Sequence, residues 1–259
     1  MLKRAVSDDI QSIEKICSDS IIGTKILSQI SAYGLEKDFL EVWIMLSDGS
    51  LQAVLTKFYD DATVLTTDDA DTEQLKVFLE MFSFNSLMCS CELCEKSGIN
   101  DYIIKKGYRY DGNCIETITT DCLTEDDMHD AYNLISREIP GSFKEGRDAY
   151  LSFLSDYTFR ERRGLARGVC AHFSGKLTSV AVTSAETKNS ALISGVACDR
   201  TLQKRGIGKR TVLSIASTII GDGKIPYVIA LNESAEGFYE HIGFVFKEKI
   251  AFVEREKDV

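Results

Sequence analysis

One order of strands and helices is written twice along this chain, and that repetition restricts its fold more than any other feature. The first pass opens with a strand at Leu2–Val6. Ser7-Asp8-Asp9 then caps a helix whose apolar positions Ile10, Ile13, Ile16 and Cys17 follow helical spacing. Residues 21–38 read as helix and loop. Leu40–Leu46 and Leu51–Tyr59 are strands joined by the hairpin signal Ser47-Asp48-Gly49-Ser50, and Ala62–Thr67 is a third. Thr72–Phe82 places Leu75, Phe78, Leu79 and Phe82 on one helical face. Leu87–Cys91 is a strand and Glu92–Lys106 a helix, with Gly107 at its end.

The second pass begins at the Thr124-Glu125-Asp126-Asp127 cap of a helix reaching Ser136. Strands follow at Gly168–Phe173 and Leu177–Ser184, flanking Ser174-Gly175-Lys176, and at Ser190–Cys198. A Gly-bearing loop, Gln203–Gly208, opens an amphipathic helix that Gly221-Asp222-Gly223 stops. Ile225–Leu231 is an apolar strand of the buried kind, Asn232–Ile242 a helix ended by Gly243, and two short strands close the chain. Gly49 precedes Gly175 by 126 residues, and Gly107-Tyr108 precedes Gly243-Phe244 by 136. The added residues lie mainly around Gln203–Gly208. The pattern predicts two domains, 1–120 and 121–259, within 259 residues.

Apolar residues make up 44% of the chain and charged residues 27%, an ordinary globular composition that argues against disorder. The net charge is −10, which disfavours nucleic acid and anionic membranes as partners. Residues 1–120 carry 11 basic and 20 acidic side chains, whereas residues 121–259 carry 19 and 20. A polyanionic ligand is therefore expected on the second half. Charge-free stretches run to eleven residues, such as Thr211–Gly221, too short to span a bilayer. Asp8, Asp9, Glu14 and Lys15 occupy the place of a signal peptide's apolar region. Eight cysteines without that signal read as reduced thiols of a cytoplasmic protein.

Gly195-Val196-Ala197-Cys198 leads through Asp199-Arg200-Thr201-Leu202 into Gln203-Lys204-Arg205-Gly206-Ile207-Gly208-Lys209. A strand, a short turn and a helix start with glycines two apart present backbone N–H groups at the positive end of a helix. That arrangement cradles a pyrophosphate. Three phosphate loops compete here. A Walker A loop would need glycine at Gln203 and Ser or Thr at Arg210. A dinucleotide fingerprint would need a third glycine at Thr211. The pattern Gln/Arg-x-x-Gly-x-Gly/Ala fits throughout.

This last pattern resembles the acyl-CoA loop of the GNAT superfamily of N-acetyltransferases. Asn232-Glu233-Ser234-Ala235-Glu236-Gly237-Phe238-Tyr239-Glu240-His241-Ile242-Gly243-Phe244 is similar to the family's Asn-x-x-Ala-x-x-Phe-Tyr-x-x-x-Gly-Phe segment and lies one helix and one strand downstream. The resemblance implies an α+β (α/β) chain of two tandem GNAT-like modules, each a mixed, splayed sheet flanked by helices. It implies that main-chain groups of Val196, Ala197 and Cys198 pair with the pantetheine arm of acetyl-CoA. The amides of Gln203, Lys204, Arg205, Gly206, Ile207, Gly208 and Lys209 would hold the pyrophosphate, Asn232 would touch the pantetheine end, and Tyr239 would be the general acid. A phenol suits that role, because the leaving thiolate needs a proton donor. The acceptor is expected to be a primary amine of a small molecule or peptide. The expected rival is an acyl-CoA sensor without turnover. No metal is expected, and the oligomeric state is expected to be monomer or homodimer.

Glu138, Glu145, Asp156, Glu161 and Glu186 are equal candidates for a base. Arg160, Arg162, Arg163 and Arg167 read as a solvated face. Cys89, Cys91 and Cys94 are placed where a strand meets a helix, not on zinc. Covalent catalysis by Cys198 is disfavoured because no partner base is visible. His129 and His172 read as structural or exposed, and Trp43 as core. The first half departs from the family: a 136-residue offset sets Ile103 against Tyr239 and Lys96 against Asn232, and Asp68-Asp69-Ala70-Asp71-Thr72-Glu73 replaces the phosphate loop. It is expected to be a degenerate module without cofactor.

Overall fold

In a computed structural model, residues 1–112, 120–143 and 146–255 are described. Their contacts form two compact units. The first is Met1–Gly107 with Ala230–Glu233 and Phe246–Val259; the second is Tyr108–Ile229 with Ser234–Val245.

The chain begins with β1 (Leu2–Arg4), a 3-10 turn at Ser7–Asp9, α1 (Ile10–Ile16) and α2 (Ile21–Tyr33). The Ser20 side chain accepts the Gly23 amide and starts α2. β2 (Leu40–Ser47), β3 (Ser50–Phe58) and β4 (Asp61–Thr66) form an antiparallel meander beside β1. α3 (Thr72–Met81) crosses over to β5 (Ser86–Ser90), which runs parallel to β4. Then come α4 (Cys91–Ser97) and β6 (Ile103–Tyr110). The alternating burial of β2 follows from its apolar positions Leu40, Val42 and Ile44, which point to one face. Met45, Leu55, Val64, Leu75, Leu79, Leu87 and Leu93 share a core, against which Trp43, Phe78 and Phe82 pack.

The expected helix Glu92–Lys106 is corrected. It stops at Ser97, where Gly98 takes a left-handed cap at φ 68°. Tyr102-Ile103-Ile104 is β-favouring chain, and the segment continues as a strand. Gly107 is no helix cap but a strand residue, where a Cβ would run into Ile21 Cδ1. Gly98 is thus the counterpart of Gly243, each ending a helix. Asn232, which directly precedes its helix, then matches Ser90 and not Lys96. Tyr239 falls opposite Cys94–Ser97 and not Ile103; no phenol stands there. The cysteine placement holds, since Cys89 lies next to the last residue of β5 while Cys91 and Cys94 lie on α4.

The second unit contains β7 (Asp121–Cys122), a 3-10 turn at Glu125–Asp127, α5 (Met128–Glu138), α6 (Arg147–Glu161), β8 (Gly168–Phe173), β9 (Lys176–Glu186), β10 (Ser190–Cys198), a turn at Arg200–Leu202, α7 (Ile207–Gly221) and β11 (Ile225–Ala230). α8 (Glu233–His241) and β12 (Phe244–Glu254) complete the chain, the last being one strand where two were expected. Within this unit the strand order is β11-β10-β9-β8-β7. β10 and β11 are parallel; the other pairs are antiparallel. Leu123, Met128, Leu134, Ile135, Tyr157 and Val180 join Cys170 and Ala197 in its core.

α6 has no counterpart in the sequence reading. Its apolar residues are spread around the helix, leaving Leu151 and Phe159 exposed while Tyr157 is buried. The C-terminal half of β12 belongs to the first unit. Its residues 250–254 pair antiparallel with β5, and Ala251 and Val253 enter that core.

Candidate active site

β10 and β11 are registered only from Ser190↔Ile225 to Ile193↔Val228, although the strands run on to Cys198 and Ala230. On its other side β10 stays paired with β9 as far as Cys198↔Ser179. Ser194–Cys198 therefore keeps β9 as a sheet partner and has no registered partner on β11, which ends at Ala230. A register shift between Ser194 and Ala197 marks a β-bulge. Gly195 makes that bulge at φ 54°, where a Cβ would lie 3.0 Å from both Ile135 and Val182. The sequence signal was a glycine inside a strand pattern.

Past the bulge the chain is held by its own polar groups. Ser179 Oγ donates to the Ala197 carbonyl at 3.0 Å, and Gln203 Nε2 to the Cys198 carbonyl at 3.2 Å. Asp199 accepts from the Thr201 amide and hydroxyl, at 2.9 and 2.6 Å. Lys204 takes a left-handed conformation at φ 61°, and Gly206 follows at φ 77° as the residue before α7. No side chain caps α7, and its first turn holds no acid. The first amides of a helix have no intrahelical acceptor, so this end attracts an anion. An added Cβ at Gly206 would meet nothing within 4 Å, so the space over the loop is open. Lys204, Arg205 and Lys209 are exposed and carry no ion pair among the described residues. Ile207 and Gly208 are half-buried.

The Gly208 amide is turned toward the Cys198 sulfur. Burial nonetheless raises the Cys198 thiol, outweighing the lowering by that amide and by Ser179. A protonated thiol is a weak nucleophile.

A second layer lies behind the loop. Glu138, at the end of α5, is 6% exposed in its side chain and accepts from Arg137 Nε and Arg200 Nε, each at 2.9 Å. Arg137 also reaches Asp199 at 3.0 Å. Four charged side chains thereby join α5 to the turn ahead of the loop. Asp156 is paired with Arg160, and Glu186, fully buried, with Arg167 and Lys224. Glu161 is exposed, and Glu145 lies outside the described residues. The basic run is corrected in part: Arg160 is 9% exposed and bonds the Ser184 carbonyl, while Arg167 serves Glu186 and Asp222. Arg162 and Arg163 do face solvent.

Tyr239 lies on α8, 7% exposed, with its ring 5.6 Å from Phe244 and 5.3 Å from Phe238. Desolvation alone pushes its phenol well above the ordinary value. His241 is exposed. Asn232 is exposed directly ahead of α8 and is grouped with the first unit, in the short piece Ala230–Glu233. The structure thus joins the loop to the end of β10 through the hydrogen bond from Gln203 to the Cys198 carbonyl.

Residues 168–253 match the family model described as FR47-like protein. No curated protein matches the chain. Among solved structures, a GNAT-family acetyltransferase from Colwellia psychrerythraea aligns over 99% of this chain and 100% of its own, with 12% identity and a TM-score of 0.62. A tandem GNAT protein from the clavulanic acid biosynthesis pathway covers 100% and 99%, with 11% identity and a TM-score of 0.60. A GCN5-related N-acetyltransferase from Sphaerobacter thermophilus covers 98% and 95%, with 14% identity and a TM-score of 0.61. The fold is that of the GNAT acetyltransferases. The β10 strand and the glycine loop after it lie within residues 168–253, the part that matches the FR47-like model. No helix among the described residues is long and apolar enough to cross a membrane.

Proposed function

We propose that this protein is an N-acetyltransferase that moves the acetyl group of acetyl-CoA onto a primary amine of a small molecule or peptide. The observation that carries the proposal is the loss of β10–β11 pairing after Ile193, beside an uncapped, cation-flanked α7. The residues fit a CoA thioester. Gln203–Lys209 would hold the pyrophosphate on amides and cationic side chains, and the free edge of Ser194–Cys198 would take the pantetheine arm as an added strand. Asn232 would touch the far end of that arm.

Bound acetyl-CoA supplies an acyl carbon activated as a thioester. Backbone N–H groups on the open edge stabilise negative charge developing on its carbonyl oxygen. Tyr239 holds its proton at any physiological pH, because burial raises the phenol, and gives it to the departing sulfur. Glu138, Asp156 and Glu186 are each engaged by arginine or lysine, which favours water as the carrier of the amine's proton.

The first half is proposed to hold no cofactor. Asp71 accepts the Gln74 amide and so caps α3, at the place where a phosphate loop would leave helix amides open. We assign the protein to the cytoplasm, as a monomer or homodimer without nucleic-acid or membrane partners.

A second reading is a sensor that binds acyl-CoA without turnover. The ion-paired state of the buried carboxylates favours it. A thiol-release assay with acetyl-CoA across a broad amine panel separates the two. Release that depends on an added amine supports transfer. A melting-temperature rise with acetyl-CoA but no release from any amine leaves the sensor, and no response to acetyl-CoA overturns both.

A further inference from the structure

At one side of the second unit, three unlike donors converge that the acyl-transfer reading does not use. Asp127 ends the 3-10 turn before α5, and Cys170 and His172 lie two apart on β8. One ligand atom from each falls within 4.8 Å of the others. His172 Nε2 is 3.0 Å from Asp127 Oδ1, and Cys170 Sγ is 3.9 Å from Asp127 Oδ2. The opposite ring nitrogen, Nδ1, lies 3.4 Å from Asp121 Oδ2 on β7.

We propose that Asp127, Cys170 and His172 form a binding site for a zinc-like divalent cation, with Asp121 orienting the histidine. The donor set is sulfur, imidazole nitrogen and carboxylate oxygen, the three that zinc takes. With metal–sulfur bonds of about 2.3 Å and metal–nitrogen or oxygen bonds of about 2.0–2.2 Å, tetrahedral donors lie roughly 3.2–3.6 Å apart. The Asp127 carboxylate already lies 3.0 Å from the imidazole and 3.9 Å from the sulfur, and the widest donor separation, at most 4.8 Å, would close by about an ångström on binding, within reach of side-chain rotation. The histidine is arranged as metal-binding histidines are: one nitrogen faces the other donors while a carboxylate takes the N–H of the second and fixes the tautomer.

Charge agrees as well. A thiolate and a carboxylate with neutral imidazole bring two negative charges to a dication. The thiol proton leaves to solvent as the metal–sulfur bond forms. Cys170 is fully buried against the α5 core, whereas His172 keeps about a third of its side chain exposed, so the site has an apolar floor and an entrance. A fourth position is left to water. Asp127 Oδ2 already accepts from the Thr124 amide and hydroxyl, at 3.0 and 2.6 Å, so that carboxylate is held in place before any metal arrives. The ion would tie β7, the capping turn of α5 and β8 together.

Cobalt(II) titration of the chelator-treated, reduced protein tests this. One equivalent should give a near-ultraviolet thiolate-to-cobalt band and tetrahedral visible bands, and one equivalent of zinc should displace it and raise the melting temperature. Cys170→Ser should abolish the band. His172→Gln should weaken binding at least tenfold, and Asp121→Asn by about 10–100-fold, as expected of an outer carboxylate. Cys94→Ser should leave the band intact, since the Cys89, Cys91 and Cys94 thiols lie in the other unit. His172 and Asp121 are at the surface, so their variants carry the test should Cys170→Ser fold poorly. Absence of a one-equivalent band overturns the proposal. So does a band lost in Cys94→Ser and kept in His172→Gln; the triad would then be an ion pair beside a helix cap.

Discussion

Tyr239 is a buried phenol whose pKa burial raises, so it stays protonated near neutrality, and the proposal gives it the part of proton donor to the departing sulfur. Tyr239→Phe removes one hydroxyl and leaves the packing against Phe238 and Phe244 in place. Turnover should fall by about 10²–10⁴-fold, the usual worth of a general acid, with acetyl-CoA affinity nearly unchanged. Steady-state kinetics with a good acceptor check this, and near-full kcat would make Tyr239 a packing residue. Gly206 is the second informative position. Valine there must take φ 77°, costing about 1–2 kcal/mol, and its branches project into the open space over the loop. The melting-temperature rise produced by acetyl-CoA should vanish in Gly206→Val, with a folded protein retained. At a hundredfold over Kd that rise corresponds to about 2.7 kcal/mol in the wild type. A full shift in the variant would refute the loop as the pyrophosphate seat.

At the scale of elements, the sequence was most readable where one period dominates. β8 and β10 match their expected spans, and α7 starts and stops where its glycines predict. The failures share a cause, which is competition between signals. From Glu92 the helical spacing runs to Lys106, but Gly98 supplies the left-handed cap and Ile103-Ile104 the strand. α6 left no trace because its apolar residues follow no single face. Gly195 inside a strand pattern hinted at the bulge, but the register shift itself depends on the neighbouring strand and could not be read from one segment. Nor could the joining of α5 to the loop, because Glu138 and Arg200 meet only in the fold. That junction yields its own prediction. Glu138→Gln leaves Arg137 and Arg200 without their shared carboxylate, so the turn Arg200–Leu202 should loosen. Acetyl-CoA should bind several-fold more weakly by calorimetry, while kcat at saturation changes little; a collapse of kcat with unchanged affinity would instead mark Glu138 as the base.

For the whole molecule, the proposal implies one acyl-CoA site, since the second half has an open, cation-flanked glycine loop while Asp71 caps α3 in the first. Titration calorimetry should return about one acetyl-CoA per chain. A value near two would mean that the first half binds as well, in spite of Asp71. The first unit is closed by the end of the chain: residues 250–254 supply the partner of β5. This has a consequence during synthesis. When residue 107 leaves the ribosome, β5 has no neighbour on that side, and its partner is still about 140 residues away. At about 5–20 residues per second the wait is roughly 7–28 s. Through that interval an unpaired strand edge and the apolar wall around Leu87 and Cys89 stand ready for any other extended chain. A nascent chain arrested before Phe246 should therefore engage chaperones through its first half, even where the second half has already folded.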